Sequence, residues 1–302
     1  MTKQKLLYIS ILLTVITIAC SKIKYYDDNP ISSNTTKVLS HRGVYFAPGY
    51  QQNTLKSAIL GLKTLDGIEL DIQISKDNTL WLGYDLEVYD CNGQIQCINE
   101  LSDQDLTDMN LCPNTIKHSK LEKVFSYMKD SAPDKFISLD VKYPRCNGSI
   151  TNEFKTIATE IVRLVKKYEL HGKVLVESSK TSFLKDIKEK SKDIELYYLA
   201  YDDFDKGMAK ALEGNFTGIS LKFNGKVELT QEHIDLIHRK GLKVQMWTVN
   251  FVEDITEVYS IQPDYIQTDN LYFYYFLNAI PLPDSLLNWF NWLPTTEITY
   301  PI

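Results

Sequence analysis

Hydrophobic positions along the chain fall into two alternating periods. Short runs rich in β-branched and aromatic residues, at Lys37–His41, Gly67–Ile74, Phe136–Val141, Lys173–Val176, Glu195–Leu199, Thr217–Leu221, Leu242–Trp247 and Asp264–Gln267, read as strands. Between them apolar residues recur every three or four positions, at Asn53–Lys63, Leu121–Lys129, Glu153–Tyr168, Ser182–Glu189, Gln231–Arg239 and Val252–Tyr259, and predict helices with one buried face. Strand and helix in regular alternation fit a (β/α)8 barrel, that is, a TIM barrel; a doubly wound open sheet shows the same alternation. No Gly-x-Gly-x-x-Gly or phosphate-loop pattern opens a helix, which argues against a nucleotide-binding version of the open sheet. One segment breaks the pattern. Asp77–Asp85 follows the second strand through the turn Lys76-Asp77-Asn78 with no room for a helix, so a hairpin excursion is expected there.

The two ends of the chain stand outside this alternation. Lys3 and Lys5 precede an apolar run, Leu6 to Ala19, shorter than the ~20 residues that a membrane helix needs but suited to a signal-peptide core. The run ends Thr17-Ile18-Ala19-Cys20-Ser21, which resembles a bacterial lipobox, with a small residue before a cysteine that becomes the acylated N-terminus; a plain secretory signal or an uncleaved anchor is the competing reading. Residues 1–19 are therefore expected to be a lipoprotein signal peptide, and 20–36, polar and containing Pro30, a lipidated cysteine and tether. Residues 37–302 are expected to form the barrel domain with an aromatic C-terminal extension. There Leu271–Phe276 reads as a closing helix, and Trp289, Phe290 and Trp292 as a cap over the barrel wall or an exposed aromatic surface.

Composition narrows the function less than the ends do. With 302 residues, 44% hydrophobic and 24% charged, the chain can bury a sizeable core, and disorder is excluded. The net charge of −6 has the wrong sign for a nucleic-acid binder. Export to a bacterial cell envelope would place Cys91, Cys97, Cys112 and Cys146 in an oxidising compartment. Cys91 and Cys97 flank the turn-forming Asn92–Gln96 and are expected to pair, leaving Cys112 for Cys146. No histidine stands at ligand spacing to make these cysteines a metal site.

Barrel chemistry gathers at the C-terminal ends of the strands. Those ends carry His41-Arg42, Glu69-Leu70-Asp71, Asp140-Val141-Lys142, Trp247-Thr248-Val249-Asn250 and Thr268-Asp269-Asn270. Glu69 and Asp71, two apart on a strand, point to one face. If that face is the barrel interior, they lie within reach of each other and of Asp140. Three carboxylates in a low-dielectric site require compensation, and a divalent cation supplies it; oxygen-only ligands favour Mg2+ or Ca2+ over zinc. Each feature alone has a simpler reading: a solvated Glu-x-Asp, a loop His-Arg pair, a core Trp247. Their order and their placement at strand ends are what distinguish them.

His41-Arg42-Gly43, Gln52-Asn53-Thr54-Leu55, Gly67–Gln73, Leu139-Asp140-Val141-Lys142 and Trp247–Asn250 with Thr268-Asp269 together resemble the glycerophosphodiester phosphodiesterase family, from about residue 38 to 278. The resemblance implies a distorted barrel with an excursion after the second strand. It also implies a Ca2+- or Mg2+-dependent hydrolase that splits a small glycerophosphodiester into an alcohol and glycerol 3-phosphate. By position it implies Glu69, Asp71 and Asp140 as metal ligands, His41 as acid/base, Arg42 and Lys142 as phosphate contacts, and Trp247 as part of the substrate wall. Three positions depart from the family pattern. Gln52 replaces a glutamate, Asp140 is one methylene shorter than the usual glutamate, and Tyr84 stands where the second catalytic histidine belongs. A phenol titrates near ~10, so it can give a proton at neutral pH but hardly take one. Losing one acid/base group costs ~10²–10⁴ in rate. The expected function is accordingly a phosphodiester hydrolase, slow or altered in substrate, bound to the membrane through Cys20; the alternative is a non-catalytic lipoprotein that binds a phosphorylated or glycan ligand. His118, ahead of the helix at Leu121, is expected to be a solvated loop histidine rather than a substitute for the missing one.

Overall fold

The computed structural model describes residues 35–44, 49–85, 87–110, 117–142, 150–201, 203–223 and 229–270. The chain divides after Thr35 into two units, and the description concerns the second. The expected leader and tether, Cys112, Cys146 and the aromatic extension from Leu271 onward lie outside the described residues. No helix among the described residues is long and apolar enough to cross a membrane.

Eight parallel strands close on themselves: β1 (Lys37–Ser40), β2 (Gly67–Ile74), β7 (Phe136–Val141), β8 (Val174–Ser178), β9 (Glu195–Tyr201), β10 (Gly218–Lys222), β11 (Lys243–Trp247) and β12 (Tyr265–Thr268). Closure rests on β1, which pairs with β12 along its whole length and with β2 at Leu39 and Ser40. The open sheet is thereby excluded. Outward-facing Ile68, Leu70, Leu139, Val176 and Ile219 are buried under helices α1 (Leu55–Thr64), α3 (Leu121–Ser131), α4 (Ile150–Lys167), α5 (Thr181–Lys190), α6 (Phe204–Gly214), α7 (Gln231–Arg239) and α8 (Val252–Ser260). Their burial is the main driving force for the barrel. Inside, an aromatic-aliphatic layer of Leu39, Phe136, Leu175, Tyr197 and Tyr265 fills the N-terminal end. The layer above it is polar, with Ser138, Glu177, Ser220, Gln245 and Gln267 all buried, where branched apolar side chains are the common filling.

The excursion after β2 is larger than a hairpin. β3 (Leu80–Leu82) turns back antiparallel on β2, β4 (Glu87–Tyr89) and β5 (Ile95–Cys97) form a separate hairpin, and α2 (Asp103–Met109) precedes β6 (Ser119–Lys120), which pairs antiparallel with β3. A small core of Trp81, Val88, Ile98, Leu106 and Met109 holds these pieces together. Asp103 ties them to the barrel. It accepts from Ser75 Oγ (2.8 Å), Thr79 Oγ1 (2.7 Å), Trp81 Nε1 (2.9 Å) and Lys120 Nζ (2.5 Å). Cys91 and Cys97 are joined in a disulfide across the β4–β5 hairpin, as their spacing predicts. His118 is a correction: its side chain is buried rather than solvated, and its backbone is clamped by Asn110 on both its N–H and its carbonyl. Burial pushes its imidazole pKa down to about 4. Among the described residues, none of its hydrogen bonds reaches the strand-end carboxylates.

Candidate active site

The C-terminal mouth of the barrel gathers the strand-end residues. β2 and β7 run in register with Asp71 opposite Asp140, so the period-two spacing of Glu69 and Asp71 delivers all three acids to one place. Their carboxylate oxygens lie within 4.8 Å of one another. Asp71 is the hub. Lys142 Nζ approaches it at 2.8 Å and Arg42 Nε at 3.0 Å, and Asn53 Nδ2 donates to it at 2.7 Å while accepting from the Asp71 backbone N–H at 3.0 Å. Lys142 also donates to Asp140 at 2.5 Å.

Local geometry makes this convergence possible. Arg42 and Asn53 both have left-handed backbones (φ 55° and 54°), which costs non-glycine residues free energy and is common where function fixes a side chain. Gly43 lets the Arg42 turn press against the start of α1, where an added Cβ would meet the Ser57 carbonyl carbon at 2.7 Å. Thr54 caps α1 through a reciprocal box with Ser57, which anchors the neighbouring Asn53. Arg42 is held further by its backbone N–H donating to Glu69 Oε2 (2.9 Å) and by Nη1 donating to Gln52 Oε1 (3.1 Å). Gln52 thus keeps a positioning contact although the charge of the family glutamate is gone.

Electrostatics divide the three acids. Burial, then the neighbouring Asp71, pushes the Glu69 carboxyl well above the usual range. For Asp71 burial acts in the same direction, but Lys142 and Arg42 outweigh it and hold the carboxylate ionised. Asp140 is raised by burial, against the pull of Lys142. The lysine's own pKa lies above its ordinary value because the two aspartates outweigh its desolvation. Three acids against two cations leave one negative charge unbalanced, and the lifted Glu69 expresses that surplus. A hard divalent ion fits such an all-oxygen set.

His41 lies at the same mouth, with Nδ1 2.7 Å from Asp269 Oδ1 and Nε2 3.8 Å from Glu69 Oε2. A carboxylate only accepts, so Nδ1 carries a hydrogen and Nε2 is the ring nitrogen turned toward the site. Asn250 Nδ2 donates to Asp269 Oδ2 at 2.7 Å and steadies it. Tyr84 reaches the mouth from the end of β3, 45% exposed, with its ring 3.9 Å from the Arg42 guanidinium carbon and 4.7 Å from Lys142 Nζ. Trp247 is half-buried at the end of β11, with its ring against Tyr201. Every residue predicted from sequence therefore stands at one mouth. The roles of Asn53, Asn250 and Asp269 in orienting these groups had no signal in spacing.

Glu177, one layer below, was not foreseen. Its oxygens accept from Ser138, Ser220, Gln245 Nε2 (3.0 Å) and Gln267 Nε2 (2.8 Å), yet burial and then Asp140 push its pKa up to about 7. Gln245 Oε1 is buried with no hydrogen-bond partner. Turning that amide over would offer the carbonyl to the proton of a neutral Glu177. A raised acid favours the folded state below its unfolded pKa, and that advantage is lost as pH rises to about 7. With Asp140, Glu69 and Lys142 as its charged neighbours, Glu177→Gln is expected to flatten the decline in metal-free stability between pH 5 and 7. The difference from wild type should reach about 3 kcal/mol at pH 8, measured by urea unfolding in chelator.

A closed parallel barrel carries at its C-terminal mouth an acidic cluster, two cations and an oriented histidine, a set suited to holding an anion beside a hard cation. The model of the glycerophosphoryl diester phosphodiesterase family matches residues 41–272, and the chain belongs to that family. Solved structures show the same fold. A glycerophosphodiester phosphodiesterase from Parabacteroides distasonis superposes with TM-score 0.64 at 23% identity, over 82% of this chain and 97% of that one. One from Thermotoga maritima gives 0.63 at 20%, covering 80% and 98%. An Oleispira antarctica phosphodiesterase, solved with the product sn-glycerol-3-phosphate, gives 0.64 at 17%, covering 82% and 99%. No curated protein matches the chain in sequence.

Proposed function

We propose that the protein is a metal-dependent hydrolase of small glycerophosphodiesters, with Tyr84 in place of one of the family's two proton-transfer histidines. The observation that carries this reading is the convergence of His41, Arg42 and Lys142 on the carboxylates of Glu69, Asp71 and Asp140. Those three carboxylates would hold Ca2+ or Mg2+, which when bound polarises a phosphoryl oxygen. Arg42 and Lys142 offer the phosphate two fixed cations, already oriented by Asp71, Gln52 and Asp140, so little reorganisation accompanies charge development. His41, with its tautomer set by Asp269, takes the proton of the attacking hydroxyl at Nε2. The Tyr84 hydroxyl gives a proton to the departing oxygen. The test is hydrolysis of glycerophosphocholine, glycerophosphoethanolamine and glycerophosphoinositol with Ca2+ or Mg2+. Turnover above a His41→Ala control is expected, and its absence for all three removes the hydrolase reading.

A second reading is favoured by one contact. The Tyr84 ring lies over both anion-binding cations where the family carries a histidine, so a phosphorylated or glycan ligand would meet one proton-transfer group fewer. It requires Arg42-dependent binding by calorimetry with no product formed.

The lipobox-like Thr17–Ser21 supports attachment to a cell-envelope membrane through Cys20, and the Cys91–Cys97 disulfide supports an oxidising compartment. Two or more acyl chains would hold an acidic protein on a membrane without electrostatic help. Cys20→Ser should move the protein from the membrane to the soluble fraction and abolish acyl labelling.

A further inference from the structure

The circle of eight strands divides the mouth into two unlike halves. β1, β2 and β7 carry the histidine, the acids and the two paired cations. β10 lies diametrically opposite β2, flanked by β9 and β11, and on that side the strand ends carry Tyr201, Lys222 and Trp247. The Tyr201 and Trp247 rings meet edge to face at 6.0 Å. Tyr201 has a left-handed backbone (φ 55°) and sits where the register between β9 and β10 shifts by one residue. Such an irregularity re-aims a side chain, and bulges and left-handed residues are common beside active sites. The ring is 48% exposed, and Phe251, beyond β11, is 69% exposed.

Lys222 decides what this wall would accept. Ser220, two residues before it, points inward to Glu177, so alternation puts Lys222 on the interior face at the rim, where it is exposed and in register with Trp247. Among the described residues it makes no ion pair, whereas Arg42 and Lys142 are both committed to carboxylates. Two aromatic rings alone would suit a quaternary ammonium. A lysine ammonium between the same strand ends repels one.

We infer that the β9–β11 half of the mouth is the subsite for the alcohol side of the diester and selects an uncharged or anionic polyol over a cationic headgroup. Tyr201 and Trp247 cover its C–H face, and Lys222 donates to its hydroxyls. The inference rests on the hydrolase fold of the site but not on turnover, because it is read from binding. A soluble glycerophosphodiester and a membrane lipid headgroup can both present this chemistry.

Calorimetry on the full chain with Mg2+ compares glycerophosphoinositol with glycerophosphocholine, and flotation compares phosphatidylinositol with phosphatidylcholine vesicles. The inositol compound is expected to bind at least tenfold more tightly in one of the two formats, and the format that shows it identifies the source. Lys222→Glu should reduce that ratio at least tenfold with an unchanged melting temperature, and Tyr201→Ala should weaken inositol binding while glycerol 3-phosphate binding stays the same. Equal or tighter binding of the choline compounds, or a ratio unmoved by Lys222→Glu, overturns the inference. Selective binding without any product upholds the subsite and counts instead against the hydrolase reading.

Discussion

Asp71→Asn is expected to lower kcat by at least 10³ and to weaken binding of Ca2+ or Mg2+ in calorimetry. Asp71 faces two cations and an amide within 3.0 Å, so one substitution acts on several interactions together. The charge that orients Arg42 and Lys142 disappears, and an amide N–H2 of the new side chain meets donors on every side. Losing a single preorganised electrostatic contact costs ~10²–10³ in kcat, and here the phosphate cradle and the proposed metal set are damaged at once. Stability should respond much less. Breaking a buried ion pair costs ~3–5 kcal/mol when it strands a charge, but Lys142 keeps Asp140, Arg42 keeps its Gln52 contact, and Glu69 is relieved of a like charge. A fall of about 1–2 kcal/mol in unfolding free energy, alongside the loss of turnover, is the expected signature. Asn53→Ala gives a milder version, since it removes the amide that orients the carboxylate but leaves the charge in place. If Asp71→Asn retained wild-type kcat, the acidic cluster would have no part in the reaction.

How much of this was legible in the chain depended on the range of the signal. The barrel strands were found because parallel strands are apolar on their outer face over their whole length, and β2 and β7 matched their expected limits. Helix α6 went unrecognised. Its interior Gly207 weakens the intrinsic helical preference of the segment, yet Gly207 is required because a Cβ there would meet the Ala200 side chain at 2.6 Å. The excursion was underestimated because β4 and β5 are three residues each and half exposed, and α2 buries only Leu106 and Met109. At the site, Glu69, Asp71 and Asp140 were readable from a two-residue period and strand-end placement. Asp269 and Asn250 were visible in a motif, but their coupling to His41 spans 228 residues and has no local trace. Glu177 was least legible of all, since a lone carboxylate in an apolar strand acquires meaning only when serines and glutamines from four other strands close around it.

Tyr84 is where sequence and geometry bear on the same question. Its backbone is pinned at the mouth: Gly83 N–H donates to the Asp71 carbonyl at 3.0 Å, and Gln73 Nε2 donates to the carbonyls of Gly83 and Asp85. A replacement side chain would therefore be presented at the same point. Tyr84→His would put an imidazole beside Arg42 and Lys142, and those like charges disfavour its protonated form. The new group should act as a base or a weak acid near neutrality, a range in which a phenol serves only as donor. A gain of ~10²-fold in kcat is expected, with a pH–rate profile acquiring a new limb below pH 7. Tyr84→Phe separates the hydroxyl from the ring. If the hydroxyl protonates the leaving oxygen, kcat should fall ~10²-fold while affinity for glycerol 3-phosphate, which depends on the ring and the cations beneath it, stays within twofold. No gain with histidine together with no loss with phenylalanine would remove residue 84 from proton transfer and leave its ring as a cover over the anion-binding pair.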